Sequence, residues 1–164
     1  MTIRFGILTL SDRSSRGERA DSSGPALTNR IQAEGWSVVR QDILPDDESS
    51  IREILIHWTD GGELDVILTT GGTGVSPRDV TPEATRAVIE REVPGLAEAM
   101  RSASLQITPH AMLSRIVTGI RKRTLIINLP GSPKGALENL QIVLPVLPHA
   151  IQLLREDPAS ESTH

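Results

Sequence analysis

Apolar and polar positions follow two rhythms along this chain. Stretches at residues 3–10, 36–44 and 64–70 read as strands, the first and third with the Ile/Val/Leu content of buried ones. Helical spacing fills the intervals. Leu27 and Ile31 stand four apart within residues 22–34, and Gly35 follows as a stop. Ile51, Ile54, Leu55 and Trp58 fall at i, i+3, i+4 and i+7 after the acidic start Asp46-Asp47-Glu48, and Gly61-Gly62 closes that helix. Residues 11–21 read as a polar loop. Two more helices are predicted at residues 82–92 and 94–104. Residues 112–120 and 124–129 read as an extended pair around the basic turn Arg121-Lys122-Arg123, a solvated turn. A last helix runs from 135 to about 156, interrupted by Pro145 and Pro148, and residues 157–164 are expected to form a disordered tail. The pattern gives a single domain over 1–156, without repeats or linkers.

Strands alternating with helices predict an α/β fold, a three-layer sandwich whose central, mostly parallel sheet is covered by helices on both faces. Ligands of such sheets sit beyond the carboxyl ends of the strands. The loops after Leu10, Leu44, Thr70 and Leu129 meet that condition, and three of them carry an aspartate: Asp12, Asp46 and Asp79. Each has a plain alternative, Asp12 as a turn or capping residue, Asp46 as the acid opening a helix, Asp79 as a solvated turn residue.

The third of these loops is the most informative. After the strand come Gly71, Gly72 and Gly74, then Arg78 and Asp79, then Thr81-Pro82-Glu83, which reads as a helix start with Thr81 as its cap. A strand, a glycine loop and a helix N-terminus in succession form a phosphate cradle, because glycine admits close approach and the N–H groups point at the anion. The generic forms do not fit: position 77 is Pro where a dinucleotide fingerprint needs glycine, and no Lys follows as in a P-loop. A carboxylate beside a phosphate repels it unless a cation lies between, which points to a divalent metal, most simply Mg2+. Arg78 either complements phosphate or pairs with a surface acid.

Composition narrows the classes. A chain of 164 residues is one domain of ordinary size, and its net charge of −4, with both signs mixed, argues against nonspecific nucleic-acid binding. Without Cys there is no disulfide, thiolate metal site or Cys nucleophile. His57, His110, His149 and His164 lack metal-ligand spacing. No signal peptide or membrane-length apolar run is apparent, so a cytoplasmic protein off the membrane is expected. Phe5, Trp36 and Trp58 are the only aromatics, so the core must be aliphatic and base stacking is a poor prospect.

Taken in order, Ser11-Asp12-Arg13, Ser23-Gly24-Pro25, Leu44-Pro45-Asp46-Asp47, the segment from Thr69 to Thr85, Ser104-Leu105, Met112-Leu113-Ser114-Arg115 and Asn128-Leu129-Pro130-Gly131-Ser132-Pro133 carry a specific likeness. The chain resembles the molybdopterin adenylyltransferases, that is, the MogA-type bacterial enzymes and the corresponding domains of plant and animal molybdenum-cofactor proteins such as gephyrin. The resemblance implies transfer of AMP from ATP to the terminal phosphate of molybdopterin, with release of pyrophosphate. It implies a homotrimer, and a molybdenum insertase as a further partner. By position it assigns Asp46 and Asp79 as the functional aspartates, here taken as magnesium ligands. Gly71, Gly72, Thr73 and Gly74 match the nucleotide and phosphate loop, Ser104 the pterin side, and Pro130, Gly131 and Ser132 a second loop; Ser11 and Asp12 complete the substrate-binding set. Two rival readings share the fold: a non-catalytic domain that binds molybdopterin or a scaffold partner, and a molybdate-insertion domain.

Overall fold

A computed structural model describes residues 1–163. The most continuous apolar runs become the central strands: β1 (Arg4–Leu10), β3 (Val66–Thr70) and β6 (Thr124–Leu129), nearly every residue of which is buried. Strand β2 (Ser37–Leu44), more polar and mostly exposed, takes the edge. β5 (Thr118–Arg121) and the two-residue β4 (Arg91–Glu92) complete a six-stranded sheet in the order β2-β1-β3-β6-β5-β4. The first four of these run parallel; β5 leads into the antiparallel β6 through a turn in which Lys122 adopts φ 53°, and β4 pairs antiparallel with β5.

Successive strand residues point to opposite faces, and each face has its own core. Phe5, Ile7, Leu68 and Ile127 face helices α2 (Ser23–Ala33), α5 (Pro94–Leu105), α6 (Pro133–Val143) and α7 (Leu147–Leu154), meeting Leu27, Ile31, Met100, Leu140 and Ile151. Leu8, Ile67 and Ile126 face α3 (Glu48–Asp60) and α4 (Thr81–Val88), meeting Ile51, Leu55, Trp58, Ala84 and Val88. The expected three-layer sandwich results, and each wholly buried aliphatic side chain contributes about 1.5–3 kcal/mol. The stretch Pro133–Leu154 is long and apolar enough to cross a membrane, but a 3-10 turn at Leu144–Val146 interrupts it. Its Leu140, Val143, Leu147 and Ile151 are core residues of the first layer.

At the amino ends of the strands, Asp65 is almost fully buried between two arginines. Arg4 donates through Nε at 3.1 Å and through its backbone N–H at 2.9 Å; Arg155 donates through Nη2 at 2.6 Å. Burial pushes the Asp65 carboxyl up, but the hydrogen bonds from Arg4 and Arg155 outweigh it and leave the group below its usual value. Arg155 also donates to Thr2 O at 3.1 Å, so the last helix is tied to the start of the first strand.

Several elements depart from expectation. The polar loop of residues 11–21 contains a short helix, α1 (Asp12–Ser15), capped by Ser11. Thr81 is not the cap of α4 but its first residue, and its hydroxyl donates to Gly71 O at 2.9 Å instead. The helix expected over 82–92 stops at Val88, because Glu90 N–H donates to Ile120 O at 2.8 Å and the chain joins the sheet as β4. Residues 112–120 join the sheet only from Thr118; Pro109–Leu113 forms a 3-10 turn. The basic turn is ion-paired, Arg121 and Lys122 with Asp60 and Arg123 with Glu156. In the expected tail, Pro158–Thr163 forms 3-10 turns with Ser160 buried, and His164 lies outside the described residues.

Candidate active site

The sheet register decides where the loops meet. Leu10 pairs with Leu44, Thr9 with Thr70 and Thr70 with Leu129, so β2, β1, β3 and β6 end abreast and their following loops share one rim. Ser11 N–H donates across this rim to Leu44 O at 3.0 Å, and Ser11 Oγ accepts from Ser14 N at 3.1 Å. Asp12 and Asp46 then bond reciprocally. Asp12 N–H donates to Asp46 Oδ2 at 3.1 Å, and Asp46 N–H donates to Asp12 Oδ1 at 3.0 Å.

Arg78 spans to the same pair, donating to Asp12 through Nη2 at 2.8 Å and Nε at 3.0 Å. Arg78 and the Asp46 N–H hold the Asp12 carboxyl below its usual value. Asp12, expected to contact substrate, thus has both oxygens engaged within the protein. Asp46 is shifted the other way. Burial favours its neutral form; the Asp12 N–H opposes this, and the nearby charges of Asp12 and Asp79 add to it. Its Oδ1 is buried and has no hydrogen-bond partner among the described residues, an acceptor in need of a donor or a cation.

The glycine loop runs past this oxygen. Gly71 and Gly72 have φ +107° and +67°, and a Cβ on Gly71 would run into the Leu10 carbonyl oxygen. A Cβ on Gly72 would lie 3.0 Å from Asp46 Oδ1, and one on Gly74 would lie 3.0 Å from Asp79 Oδ2. Both aspartates therefore border the same loop. Asp79 Oδ2 accepts from Ser76 N at 3.0 Å. Among the described residues, no other backbone carbonyl takes the N–H groups of Gly72, Thr73 or Gly74. Three hydroxyls fasten the surrounding carbonyls: Thr81 to Gly71 O, Thr70 to Pro130 O at 2.7 Å, and Ser23 to Gly131 O at 2.6 Å. Ser132 caps α6, its Oγ accepting from Gly135 N at 3.1 Å.

Two cavities open on either side of these loops. The larger, about 630 Å³, is bounded by Ser11, Asp12, Asp46, Gly71, Gly72, Asp79 and Gly131. The smaller, about 270 Å³, is bounded by Thr73, Gly74, Ser104 and Pro130, with Asn139 and Ser114. Ser132 belongs to both. Every residue singled out from the sequence as a site residue thus lines one cavity or the other. Ser104 is separated from Gly71 and Gly72, and among the described residues its hydroxyl reaches only Asn139 Oδ1, at 3.5 Å.

Sequence reasoning missed Arg13 and Arg19, which stand on the wall of the larger cavity and form no ion pair among the described residues, and Asn139 of the smaller one. A signal for Asn139 was available: it falls on the apolar stripe of α6 beside Ala136, Leu140 and Val143, where a polar residue needs a reason. No three of His, Cys, Asp or Glu among the described residues cluster closely enough to hold a metal unaided. Any cation would draw most of its ligands from substrate and water.

Known proteins share this arrangement. A family model described as a probable molybdopterin binding domain matches residues 6–149. Gephyrin of Dictyostelium discoideum is 46% identical over 94% of the chain, which spans only 23% of that protein's length. The molybdopterin adenylyltransferase of Helicobacter pylori is 41% identical, over 93% of this chain and 88% of that protein. The solved structure of the molybdopterin biosynthesis enzyme MoaB from Thermus thermophilus superposes with a TM-score of 0.90 at 53% identity, covering 96% of this chain and 99% of that one.

Proposed function

The chain belongs to the molybdopterin-binding domain family, and on that premise we propose that it is an adenylyltransferase of molybdenum cofactor biosynthesis. It takes AMP from ATP, joins it to the terminal phosphate of molybdopterin and releases pyrophosphate. The observation that carries this reading is the pair of cavities divided by one glycine loop and sharing Ser132. Group transfer between two substrates needs two adjoining sites, and a simple binding domain needs one.

The larger cavity takes ATP and the smaller one molybdopterin. A terminal phosphate oxygen of the pterin substrate attacks the α-phosphorus in line. The bond from that phosphorus to the oxygen bridging to the β-phosphate breaks, and pyrophosphate departs with the electron pair. The nucleophile is already anionic, so no strong base is required. What the protein must overcome is repulsion between two highly charged substrates, roughly 4 kcal/mol per pair of unit charges about 4 Å apart at an effective dielectric of 20. The N–H groups of Gly72, Thr73 and Gly74 offer donors to phosphate oxygens, and the left-handed backbone at Gly71 and Gly72 lets them approach.

Asp46 and Asp79 fit a magnesium ion. Asp46 Oδ1 is a buried acceptor that nothing among the described residues satisfies, and Asp79 borders the same loop. Two carboxylates plus substrate oxygens suit magnesium, which seldom takes an all-protein cage. When bound, the ion supplies neutralisation of phosphate charge. Asp12 holds Asp46 from behind through the reciprocal hydrogen bonds. The family likeness further leads us to propose a cytoplasmic homotrimer that passes its product to a molybdenum insertase.

Incubation with ATP, magnesium and molybdopterin, followed by mass detection, tests the reading. Adenylylated molybdopterin and an equal amount of pyrophosphate are expected. Folded protein that makes neither, or that consumes adenylylated pterin in a molybdate-dependent way, overturns it.

A further inference from the structure

Arg115 lines neither cavity, yet it touches the loop that divides them. Its backbone N–H donates to Thr73 O at 2.8 Å. Its Nε donates to Gly74 O at 2.6 Å and its Nη2 to Asp79 O at 2.8 Å. Nη1 donates to both carboxylate oxygens of Glu83, at 2.7 and 3.1 Å, in the first turn of α4. All three guanidinium nitrogens are thus engaged by one stretch of chain. A planar fork satisfies such a set of acceptors; a point charge on a flexible stem does not.

The gripped stretch needs the help. Val75, Ser76, Pro77 and Arg78 are exposed and bury no side chain. Asp79 is otherwise held by bonds internal to the loop, Ser76 N–H to its Oδ2 at 3.0 Å and its own N–H to Ser76 O at 2.9 Å. The peptide that carries Arg115 is in turn held on both sides, because Arg101 donates to Ser114 O at 3.1 Å and to Ile116 O at 3.3 Å. Ser114 and Arg101 line the smaller cavity. A connected set of hydrogen bonds therefore runs from the wall of one cavity to the carboxylate of the other.

We infer that Arg115 is a positioning residue, one that fixes the 74–79 loop, and with it the Asp79 carboxylate, against the wall of the smaller cavity. Its consequence for rate rests on the adenylyl-transfer reading; its consequence for the loop does not. A functional group held about 1 Å from its working place can lose on the order of 10²-fold in rate, and a loss felt only in the transition state lowers kcat and leaves KM.

Arg115→Lys tests this, with Glu83→Gln as the milder variant that weakens one arm of the fork by removing its charge and one of its two acceptor oxygens. Backbone amide exchange, kcat and both KM values are measured for each, and Arg115→Lys is combined with Asp79→Asn. Faster exchange confined to residues 74–80 is expected, with β1 and β3 unchanged. Arg115→Lys should lower kcat about 10²-fold, leave each KM within about twofold, and cost little once Asp79 is already Asn. Unchanged exchange in the loop overturns the inference. So does a loss seen in KM rather than kcat, or full multiplication of the two losses. Should Arg115→Lys loosen the whole sheet, Glu83→Gln must still show the local pattern in weaker form, and its absence counts against the proposal. Failure of the wild type to adenylylate molybdopterin would sink the proposed function, while the exchange pattern would still decide the role of Arg115.

Discussion

Asp46 has an oxygen that is buried and accepts no hydrogen bond among the described residues, and under the proposed function that atom is where a metal ion is to be tested first. Asp46→Asn should fold normally, since the amide oxygen can still accept from Asp12 N–H, and should lose about 10²-fold or more in turnover. Asp79→Asn likewise keeps an acceptor for Ser76 N–H and loses the charge. If both serve one ion, the double variant is scarcely slower than either single one. Turnover of the purified variants decides; near-normal rates would remove the aspartates from the mechanism. Ser104→Ala should weaken molybdopterin binding by roughly 1.5–3 kcal/mol and spare ATP. Its hydroxyl lines only the smaller cavity and makes one marginal contact, to Asn139. Titration calorimetry with each substrate checks this, and equal losses would contradict it. The aspartates were legible because each follows a strand. The reciprocal bonding of Asp12 and Asp46 was not, because it depends on β1 and β2 ending in register, and no local pattern encodes register between strands of a parallel sheet.

At the scale of elements, length governed what could be read. Helices α2, α3 and α5 span enough turns for their apolar stripes to show. α1 has four residues and β4 has two, too few for any period, and both exist because a neighbouring element offers partners. The Thr81-Pro82-Glu83 helix start was evident, yet Thr81 does not cap. A tightly turned glycine loop leaves the Gly71 carbonyl without a ladder partner, and the Thr81 hydroxyl satisfies it within a buried junction. The loop conformation carries a prediction of its own. Gly71→Ala forces a left-handed φ on alanine and drives its Cβ into the Leu10 carbonyl. A loss of about 1–3 kcal/mol in unfolding free energy is expected, read from urea denaturation. A neutral result would mean that β1 and the glycine loop can part without cost.

For the whole molecule, the buried Asp65 sets an acid limit. Its carboxyl binds protons less tightly in the folded protein than in the unfolded chain. Its contribution is therefore complete above the usual carboxylate pKa of about 3.9 and drains away as pH falls below it. Asp65→Asn should lower stability at neutral pH by roughly 2 kcal/mol and flatten this acid-side decline. Thermal melts across pH 3–7 check it, and parallel curves for the two proteins would show that Asp65 is not the titrating group. Of the apolar residues on the helices after Thr81 that could have met a neighbouring subunit of the proposed trimer, Ala84, Val88, Ala97 and Met100 pack in the chain's own two cores, Leu96 is partly buried against one of them and Ala87 is exposed. Exposed apolar side chains lie elsewhere, at Ile107, Met112, Leu113 and Val75. Sedimentation at micromolar protein tests the trimer directly, and a monomer with full activity would overturn it.

The arginine that ties the last helix to the first strand has a consequence for how such a fold can be used. Arg155 grips Thr2 and Asp65 at the amino ends of the strands, whereas both cavities open beyond their carboxyl ends. Thr2 and Arg155 are thus neighbours at the opposite end of the sheet from both cavities. A polypeptide joined ahead of Thr2 leaves from that base and need not shade the loops that line the cavities. The base of the sheet can therefore carry added chain while the rim of loops stays open.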